Sequence, residues 1–219
     1  MEQQLLLLIN REWTSAALDR VMAVLSSFDF WLWPLGLAIL VMLIFGGFKM
    51  RAMLLTLGLV VAVSDGVVAG SLKKITARPR PHEVLADVRI VDLRRARPRF
   101  LALWKPAKIK MSRPKPEKVQ GRSFPSAHVM NNFCVAMVLT YFYRRIGALW
   151  FIAAALVGYS RVYVGSHWPS DVVISAFLGA GVALLLLPLC EWLWRLIGGR
   201  VTPGIFARHP TLAGAPAAA

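Results

Sequence analysis

Charged residues are scarce in this chain, and acidic ones are the scarcest. Of its 219 residues, 17% are charged and 57% are hydrophobic, and only 11 are Asp or Glu against 26 Lys and Arg. Together with a mean hydropathy of +0.57, this composition excludes an ordinary soluble domain of this length. Internal repeats are absent, and the only two cysteines, Cys134 and Cys190, fall in apolar segments where they suit a packing role. A lipid bilayer is therefore predicted to surround most of the chain.

Five segments are long and apolar enough to cross the hydrocarbon core of a bilayer, which takes roughly 20 residues. They are residues 30–47, 52–72, 126–143, 147–165 and 172–190. Residues 4–27 are partly apolar but carry Arg11, Glu12, Asp19 and Arg20, which are unfavourable inside a membrane. We therefore expect an amphipathic N-terminal helix at the interface, followed by an all-α, polytopic membrane helix bundle of five to six spans.

The N-terminal stretch does not have the pattern of a cleaved signal peptide, because it lacks a basic start and a small-residue cleavage site after LLLLI. We expect residues 1–200 to form a single membrane-embedded domain, with a basic loop at residues 82–122 inserted in it. Residues 201–219 are rich in Ala, Pro and Gly, so a disordered tail is expected there.

Most of the positive charge lies in the connection between the second and third spans. Residues 73–125 hold 16 of the 26 Lys and Arg against four Asp and Glu, a net charge of +12 out of +15. Such a loop can be a solvated basic surface, can attract nucleic acid, or can bind an anionic membrane, where each cation gains about 1 kcal/mol. We expect the anionic membrane surface as a partner and no nucleic acid, because no nucleic-acid recognition fold is discernible.

Polar residues cluster at three places along the chain. Five spans alternate in direction, so the end of the second, the start of the third, the end of the fourth and the start of the fifth share one side of the membrane. The clusters at these places are Lys73 with Arg80, Pro125 to His128, and Ser160 and Arg161 with His167 and Asp171. The topology therefore predicts that the three clusters converge.

The converging residues suit a phosphoryl group. Lys73, Arg80 and Arg161 supply an ammonium and two planar guanidinium groups, which match the charged oxygens of phosphate. Residues 125–126 and 169–171 open two helices, whose free backbone N–H groups point into the same volume. We predict a phosphate-binding site on this side of the membrane.

Two histidines provide the chemistry of a double displacement. We expect Asp171 to accept an N–H from the His167 imidazole, which leaves the other ring nitrogen of His167 free to attack phosphorus. His128 would give a proton to the leaving group and later take one from water. A zinc site built from His, His and Asp is the competing interpretation, but Arg80 and Arg161 would repel a divalent ion, so we expect no metal and no cofactor.

The three clusters resemble the signature of the type 2 phosphatidic acid phosphatase superfamily, written Lys-x6-Arg-Pro, Pro-Ser-x-His and Ser-Arg-x5-His-x3-Asp. The match runs from about residue 73 to residue 171, and the joint spacing of the motifs is very specific. The resemblance implies a membrane lipid phosphatase that needs no metal. It implies His167 as the nucleophile that forms a phosphohistidine, Asp171 as its orienting partner and His128 as acid and base. It also implies that Lys73, Arg80, Ser126 and Arg161 hold the phosphoryl oxygens.

Ala127 departs from this pattern, since family members usually have Gly between the Ser and the His. Its backbone N–H is still available to phosphate, but a left-handed backbone conformation at Ala127 would cost about 1 kcal/mol or more. We expect activity to survive the change.

Several substrates fit the resemblance. The small size of the chain and its N-terminal stretch LLLLINREWTSAALDRVM, which resembles the amphipathic start of undecaprenyl-diphosphate phosphatases, favour undecaprenyl diphosphate. Phosphatidic acid, phosphatidylglycerol phosphate and the 1-phosphate of lipid A stay open as alternatives, as does a lipid phosphotransferase with the same residues. A non-catalytic protein that binds anionic lipids is the remaining alternative. The oligomeric state is not indicated by the sequence.

The orientation in the membrane receives opposing signals. Counting Lys and Arg places the catalytic side in the cytoplasm. The resemblance instead implies a multi-pass protein of the bacterial inner membrane, with the active site on the periplasmic or outer face. We follow the resemblance, because phosphate binding requires part of the charge and long loops obey the charge rule poorly.

Overall fold

The computed structural model describes residues 1–115, 117 and 119–214, apart from the side chain of Arg99. The helices in chain order are α1 (Glu2–Leu7), α2 (Ala16–Ser26), α3 (Phe28–Phe45), α4 (Phe48–Ala62), α5 (Gly70–Thr76), α6 (Pro81–Val84), α7 (Ala127–Phe142), α8 (Arg144–Tyr163), α9 (Pro169–Val201) and α10 (Pro203–Arg208). Two short strands, β1 (Arg89–Asp92) and β2 (Lys108–Met111), lie between α6 and α7.

The chain folds as a helical membrane bundle, as predicted. Within the described residues, four helical stretches have the length and composition to cross a membrane: Phe28–Phe45, Phe48–Val84, Arg144–Tyr163 and Pro169–Val201. The shorter apolar helix α7 lies among them and completes the five predicted segments. A π-helical segment, Val63–Ala69, connects α4 to α5 without a break, so that the second span delivers Lys73 near its end.

Helix α7 lies at the centre of the bundle and packs against α4, α8 and α9. Its crossing with α9 is very close, because a Cβ atom placed on Gly179 would lie 2.2 Å from the carbonyl oxygen of Met130. Small residues allow such close contacts between membrane helices. The crossing holds the N-terminal ends of α7 and α9, which carry His128 and Asp171, beside each other.

Helix α2 packs against α8 and helix α1 contacts α9, so the N-terminal helices do more than lie on a membrane surface. Leu6 and Met22 are buried in one apolar cluster with Tyr163. A polar network holds this contact: both oxygens of Asp19 accept hydrogen bonds from Arg89 Nη2 at 2.8 Å. The hydroxyl of Tyr163 donates to the same carboxylate at 2.8 Å. Asp19, expected to lie on the polar face of an amphipathic helix, is therefore a buried link between α2, β1 and α8.

The basic loop contains two short strands and a 3-10 helix. Strands β1 and β2 pair antiparallel, with Ile90 opposite Lys110 and Val91 opposite Ile109. Between them, a 3-10 helix spans Arg99–Trp104. The β-branched residues of both strands favour this pairing.

The C-terminal segment folds back onto α9. Helix α10 lies within the stretch expected to be a disordered tail, and its Phe206 ring packs against Trp194 at 5.8 Å between centroids. Trp194 Nε1 also donates to the carbonyl oxygen of His209 at 2.9 Å. Residues 215–219 of the expected tail lie outside the described residues.

Candidate active site

The three sequence clusters meet at one end of the bundle and are tied together by backbone groups. Ser123 N donates to the carbonyl oxygen of Arg78 at 2.8 Å, which joins the start of α7 to the first cluster. Trp168 Nε1 donates to the carbonyl oxygen of Pro79 at 2.9 Å, which joins the first cluster to the third. Ser126 N donates to Ser175 Oγ at 2.8 Å, which joins α7 to α9. The predicted convergence is therefore present in the structure.

Two backbone positions turn the chain into this site. Ala77 ends α5 in a left-handed conformation with φ of 42°, so the chain leaves the helix at once and passes Arg78 and Arg80 across the site. Gly121 has φ of +61°, and a Cβ atom there would lie 2.5 Å from the carbonyl oxygen of Ala77. Only glycine allows the returning loop to approach the first cluster this closely.

His167 is buried between α8 and α9, with 3% of its surface exposed. Its Nδ1 lies 2.6 Å from the carbonyl oxygen of Ser123. Because a carbonyl oxygen can only accept, the proton is on Nδ1 and the lone pair is on Nε2. Burial lowers the pKa of His167 to about 4, and the positive charges of Arg161 and Arg80 act in the same direction against the opposing effect of Asp171. The imidazole is therefore neutral near pH 7 and has a free ring nitrogen.

Asp171 is fully buried and acts on His167 through Ser123. Its Oδ2 lies 3.9 Å from His167 Nδ1, beyond hydrogen-bond distance. The same oxygen accepts from Ser123 Oγ at 2.5 Å and from Trp168 N at 3.1 Å. The carboxylate therefore holds Ser123, and the carbonyl of Ser123 holds the imidazole. The direct hydrogen bond expected from the four-residue spacing is replaced by this relay.

Arg78 was not singled out from the sequence, yet it is the cation that contacts Asp171. Its Nη1 donates to Asp171 Oδ1 at 2.6 Å and to Ser170 Oγ at 2.9 Å. Its Nη2 donates to Glu2 Oε2 at 2.8 Å. One feature of the sequence could have identified Arg78: it lies two residues before Arg80 in the sequence RPRP, on a short segment that crosses the site.

Three buried polar atoms at this end of the bundle have no hydrogen-bond partner among the described residues. They are Ser126 Oγ, His128 Nε2 and Arg161 Nε, which come from the second and third clusters. Buried polar atoms are normally satisfied, so such a group points to a ligand. The other face of the Arg161 guanidinium is held by the Ser26 hydroxyl and by the Ser26 carbonyl oxygen at 3.2 Å. The orphaned atoms are the kinds that would contact phosphoryl oxygens.

The remaining predicted residues surround the same region. His128 interacts electrostatically with Arg161, His167, Lys73 and Arg80, so these charges lie around one volume. Ala127 is the first residue of α7 and has the right-handed helical conformation. The substitution of the usual Gly by Ala therefore causes no backbone strain.

The N-terminal helices also reach the site. Glu2 accepts hydrogen bonds from Ser170 N at 3.1 Å and from the Ser170 hydroxyl, besides its ion pair with Arg78. Burial raises the pKa of Glu2, but the Ser170 hydrogen bonds and the charge of Arg78 outweigh it and hold the pKa below its usual value. The Glu2 carboxylate is thus ionised near neutral pH and anchors α1 to the third cluster.

The donor set of this site does not resemble a metal centre. In the part of the chain that the structure describes, no three His, Cys, Asp or Glu side chains are grouped as metal ligands. His128 and His167 instead share their surroundings with Lys73, Arg80 and Arg161. Cations in these positions favour an anion and oppose a divalent ion.

The sequence of this chain is similar to those of known proteins. The profile of the PAP2 superfamily matches residues 51–195, which contain all three clusters. The bacitracin transport permease protein BcrC of Bacillus licheniformis is 39% identical over 64 residues, which are 29% of this chain and 32% of that protein. The undecaprenyl-diphosphatase of Sulfolobus acidocaldarius is 42% identical over 65 residues, which are 29% of this chain and 31% of that protein. The matches thus span about a third of the length of these curated relatives.

A solved structure extends the similarity over most of the chain. The crystal structure of Aquifex aeolicus LpxE superimposes with a TM-score of 0.56 at 28% sequence identity. The superposition covers 85% of this chain and 94% of that one. The similarity in fold therefore reaches well beyond the three clusters.

Proposed function

Since the chain belongs to the PAP2 superfamily, as its three sequence clusters predicted, we propose that it is an integral membrane phosphatase that hydrolyses a lipid phosphate or diphosphate. The observation that carries this proposal is the group of orphaned atoms, Ser126 Oγ, His128 Nε2 and Arg161 Nε, in the surroundings of a neutral His167. These atoms supply hydrogen-bond capacity for an anion, and His167 supplies a nucleophile.

In the first step, the lone pair on His167 Nε2 attacks phosphorus. The Nδ1 proton, held by the Ser123 carbonyl, fixes this tautomer and stabilises the positive charge that develops on the ring. The bond between phosphorus and the leaving oxygen breaks as the N–P bond forms. Once the charge of the bound phosphate offsets Lys73, Arg80 and Arg161, His128 carries a proton and gives it to the leaving oxygen, so an alcohol or a lipid monophosphate departs and phosphohistidine remains.

In the second step, water replaces the histidine. His128, now neutral, takes a proton from water as the water oxygen attacks phosphorus and the N–P bond breaks. Inorganic phosphate is released, His167 recovers its neutral form and His128 recovers its proton. Lys73, Arg80 and Arg161 stabilise the negative charge of the transferring phosphoryl group in both steps, so the proposal requires no metal.

The proposed substrate is undecaprenyl diphosphate. The support comes from the 42% identity over 65 residues with an undecaprenyl-diphosphatase and from the amphipathic N-terminal helices beside the site. Phosphatidic acid, phosphatidylglycerol phosphate and lipid A 1-phosphate are the comparison substrates, because each presents a phosphate at the membrane surface.

The basic loop is proposed to bind the anionic surface of the same membrane. Its 3-10 helix exposes Phe100 at 54% and Trp104 at 72%, and exposed Arg95 and Lys105 flank this helix in the sequence. Aromatic residues next to cations suit the boundary between lipid headgroups and acyl chains. The 3-10 helix also contacts α3, the first membrane helix, which supports its placement at the membrane boundary.

The active site is proposed to face the periplasm or the outside of a bacterial inner membrane. The end of α9 would then lie in the cytoplasm. A reporter fused after residue 219 should be active only in its cytoplasmic form. Activity only of a periplasmic reporter would show the opposite orientation.

Phosphate release by detergent-purified protein tests the proposed function. Each lipid in the panel is assayed with the wild-type chain and with His167→Ala, which lacks the nucleophile. We expect release from the lipid diphosphate to be the fastest and His167→Ala to be inactive on all of them. Equal release by both proteins, or no release by the wild-type chain from any lipid, would contradict the proposal.

A further inference from the structure

A basic cavity lies beside the candidate active site. It has a volume of about 290 Å³ and shares Arg80 with the first cluster. The other lining residues include His82, Glu83, Arg113, Lys115 and Gln120. The cavity thus joins the edge of the active site to the last part of the basic loop.

The lining favours an anion. Arg80, Arg113 and Lys115 bring three positive charges, against the single carboxylate of Glu83. Both oxygens of that carboxylate are already engaged, since Oε2 accepts from Arg80 N at 2.8 Å and Oε1 accepts from Gln120 N at 3.2 Å. These contacts fix Glu83 as part of the wall and reduce its repulsion of a ligand.

Backbone contacts hold the loop next to this cavity at Ser112 and at Gly121. Ser112 N donates to the carbonyl oxygen of Val88 at 2.8 Å, and Ser112 Oγ donates to the carbonyl oxygen of Leu85 at 2.6 Å. At the other end, Gly121 lies against the backbone of Ala77. Arg113 and Lys115 follow Ser112 by one and three residues and line the cavity together with Arg80.

This placement separates the cations of the basic loop into two groups. Arg113 and Lys115 line the cavity, whereas Lys108 and Lys110 lie on the exposed strand β2. A role for the whole loop in general attraction to membranes would make the two groups equivalent. If the cavity binds a ligand, replacing Arg113 and Lys115 should have an effect that replacing Lys108 and Lys110 does not.

We propose that Arg80, Arg113 and Lys115 form a second phosphate-binding site, which binds a phosphate group adjacent to the one transferred to His167. The inference rests on the proposed function, because Arg80 belongs to both sites. Two sources share this ligand chemistry. One is the second phosphate of a lipid diphosphate or of a lipid with two phosphate groups, and the other is inorganic phosphate released by the reaction.

A binding experiment tests the site without turnover. Methylenediphosphonate, a diphosphate analogue that phosphatases do not cleave, is titrated against full-length protein in detergent by calorimetry, with inorganic phosphate in a parallel titration. The variants are Arg113→Gln with Lys115→Gln, and, as a charge-matched control on the same loop, Lys108→Gln with Lys110→Gln. We expect the cavity variant to bind methylenediphosphonate about tenfold more weakly than the wild-type chain, and the control to match the wild-type chain. Equal binding by the two variants would overturn the proposal.

Kinetic measurements on the same proteins identify the source of the phosphate. If a lipid supplies it, the ratio of kcat/KM for a lipid diphosphate to kcat/KM for phosphatidic acid falls about tenfold in the cavity variant. If the reaction product supplies it, that ratio is unchanged and the inhibition constant of inorganic phosphate rises about tenfold. No change in either quantity relative to the control variant would contradict the site. Absence of turnover by the wild-type chain would count against the proposed function, while the calorimetric result would still decide whether the second site exists.

Discussion

The guanidinium of Arg78 donates a 2.6 Å hydrogen bond to the carboxylate of Asp171, and this ion pair joins the first sequence cluster to the third. Asp171 is fully buried, so the loss of a charged partner would leave its carboxylate poorly compensated. Through Ser123, the same carboxylate holds the ring of His167. Arg78 is therefore a positioning residue, which acts on the nucleophile through two other residues, Asp171 and Ser123.

Replacement of Arg78 should reduce turnover more than lipid binding. Arg78→Gln is expected to lower kcat by about 10²-fold, because a displaced Asp171 and Ser123 no longer hold His167 in line with phosphorus. KM should change little, and Arg78→Lys should restore part of the activity by keeping the charge. Steady-state kinetics would measure both quantities, with Lys74→Gln, an exposed cation on α5, as the control. A rise in KM at constant kcat would instead indicate that Arg78 binds substrate directly.

The two histidines should respond differently to the leaving group. His167→Ala should lose all activity and any covalent phosphate, because it removes the attacking nitrogen. His128→Ala removes only the proton donor, so it should lose about 10²- to 10⁴-fold on an alkyl phosphate such as phosphatidic acid. The loss should be much smaller on p-nitrophenyl phosphate, whose leaving group needs little assistance.

Trapping the intermediate separates the same two roles. With p-nitrophenyl phosphate, phosphohistidine should accumulate on His128→Ala, because the general base for water is missing. Acid-quenched samples with labelled phosphate would show it. Phosphoenzyme on His167→Ala, or equal losses of both variants on every substrate, would refute the assignment.

Stability should depend on pH through His167. Its pKa is lowered to about 4 in the folded protein, whereas an unfolded His has a pKa of about 6.5. The unfolded chain therefore binds the extra proton between these values, so the stabilisation present above about pH 6.5 is lost as pH falls to about 4. The loss amounts to about 3 kcal/mol if no other group compensates.

Thermal unfolding in detergent at pH 7 and pH 5 measures this dependence. The decrease in Tm on acidification should be smaller for His167→Gln, whose side chain does not titrate, than for the wild-type chain. His209→Gln, on the opposite end of the bundle, is the control. An unchanged decrease in His167→Gln would show that other groups dominate the acid response.

Metal chelation and a transition-state mimic distinguish the proposed mechanism from metal catalysis. EDTA should leave phosphate release intact, because Lys73, Arg80 and Arg161 supply the positive charge. Vanadate should inhibit, since it adopts the five-coordinate geometry of the transition state at a histidine nitrogen. Loss of activity in EDTA that zinc or magnesium restores would overturn the metal-free mechanism.

The exposed aromatic residues of the basic loop should contribute to membrane contact. Phe100→Ser with Trp104→Ser should weaken the cross-linking of the loop to photoactivatable lipids in anionic vesicles, because both rings are exposed beside α3. Trp13→Ser, an exposed aromatic on the N-terminal segment, serves as the control at a different position. Unchanged cross-linking of the loop variant would argue for a solvated loop.

The sequence alone determined the helical bundle and the end of it that carries the site. Apolar length predicts a membrane helix because the bilayer has a fixed thickness. Alternation of the spans then brings Lys73, His128 and His167 to one side whatever the details of packing. Nothing in the sequence indicated that Gly179 allows a close helix crossing, because this role depends on which helix packs against it.

Tertiary structure decided how the site residues are held. Arg78 meets Glu2 across 76 positions of sequence, and Ser170 meets Glu2 across 168. The four-residue spacing predicts a direct hydrogen bond between His167 and Asp171. In the structure, Ser123 lies between them and connects the two side chains. Local patterns report the period and length of a helix, but the contacts of a long polar side chain depend on how distant helices pack and where loops return. For that reason the relay to His167, the contact of the N-terminal helices with the third cluster, and the cavity beside Arg80 emerged only from the folded chain.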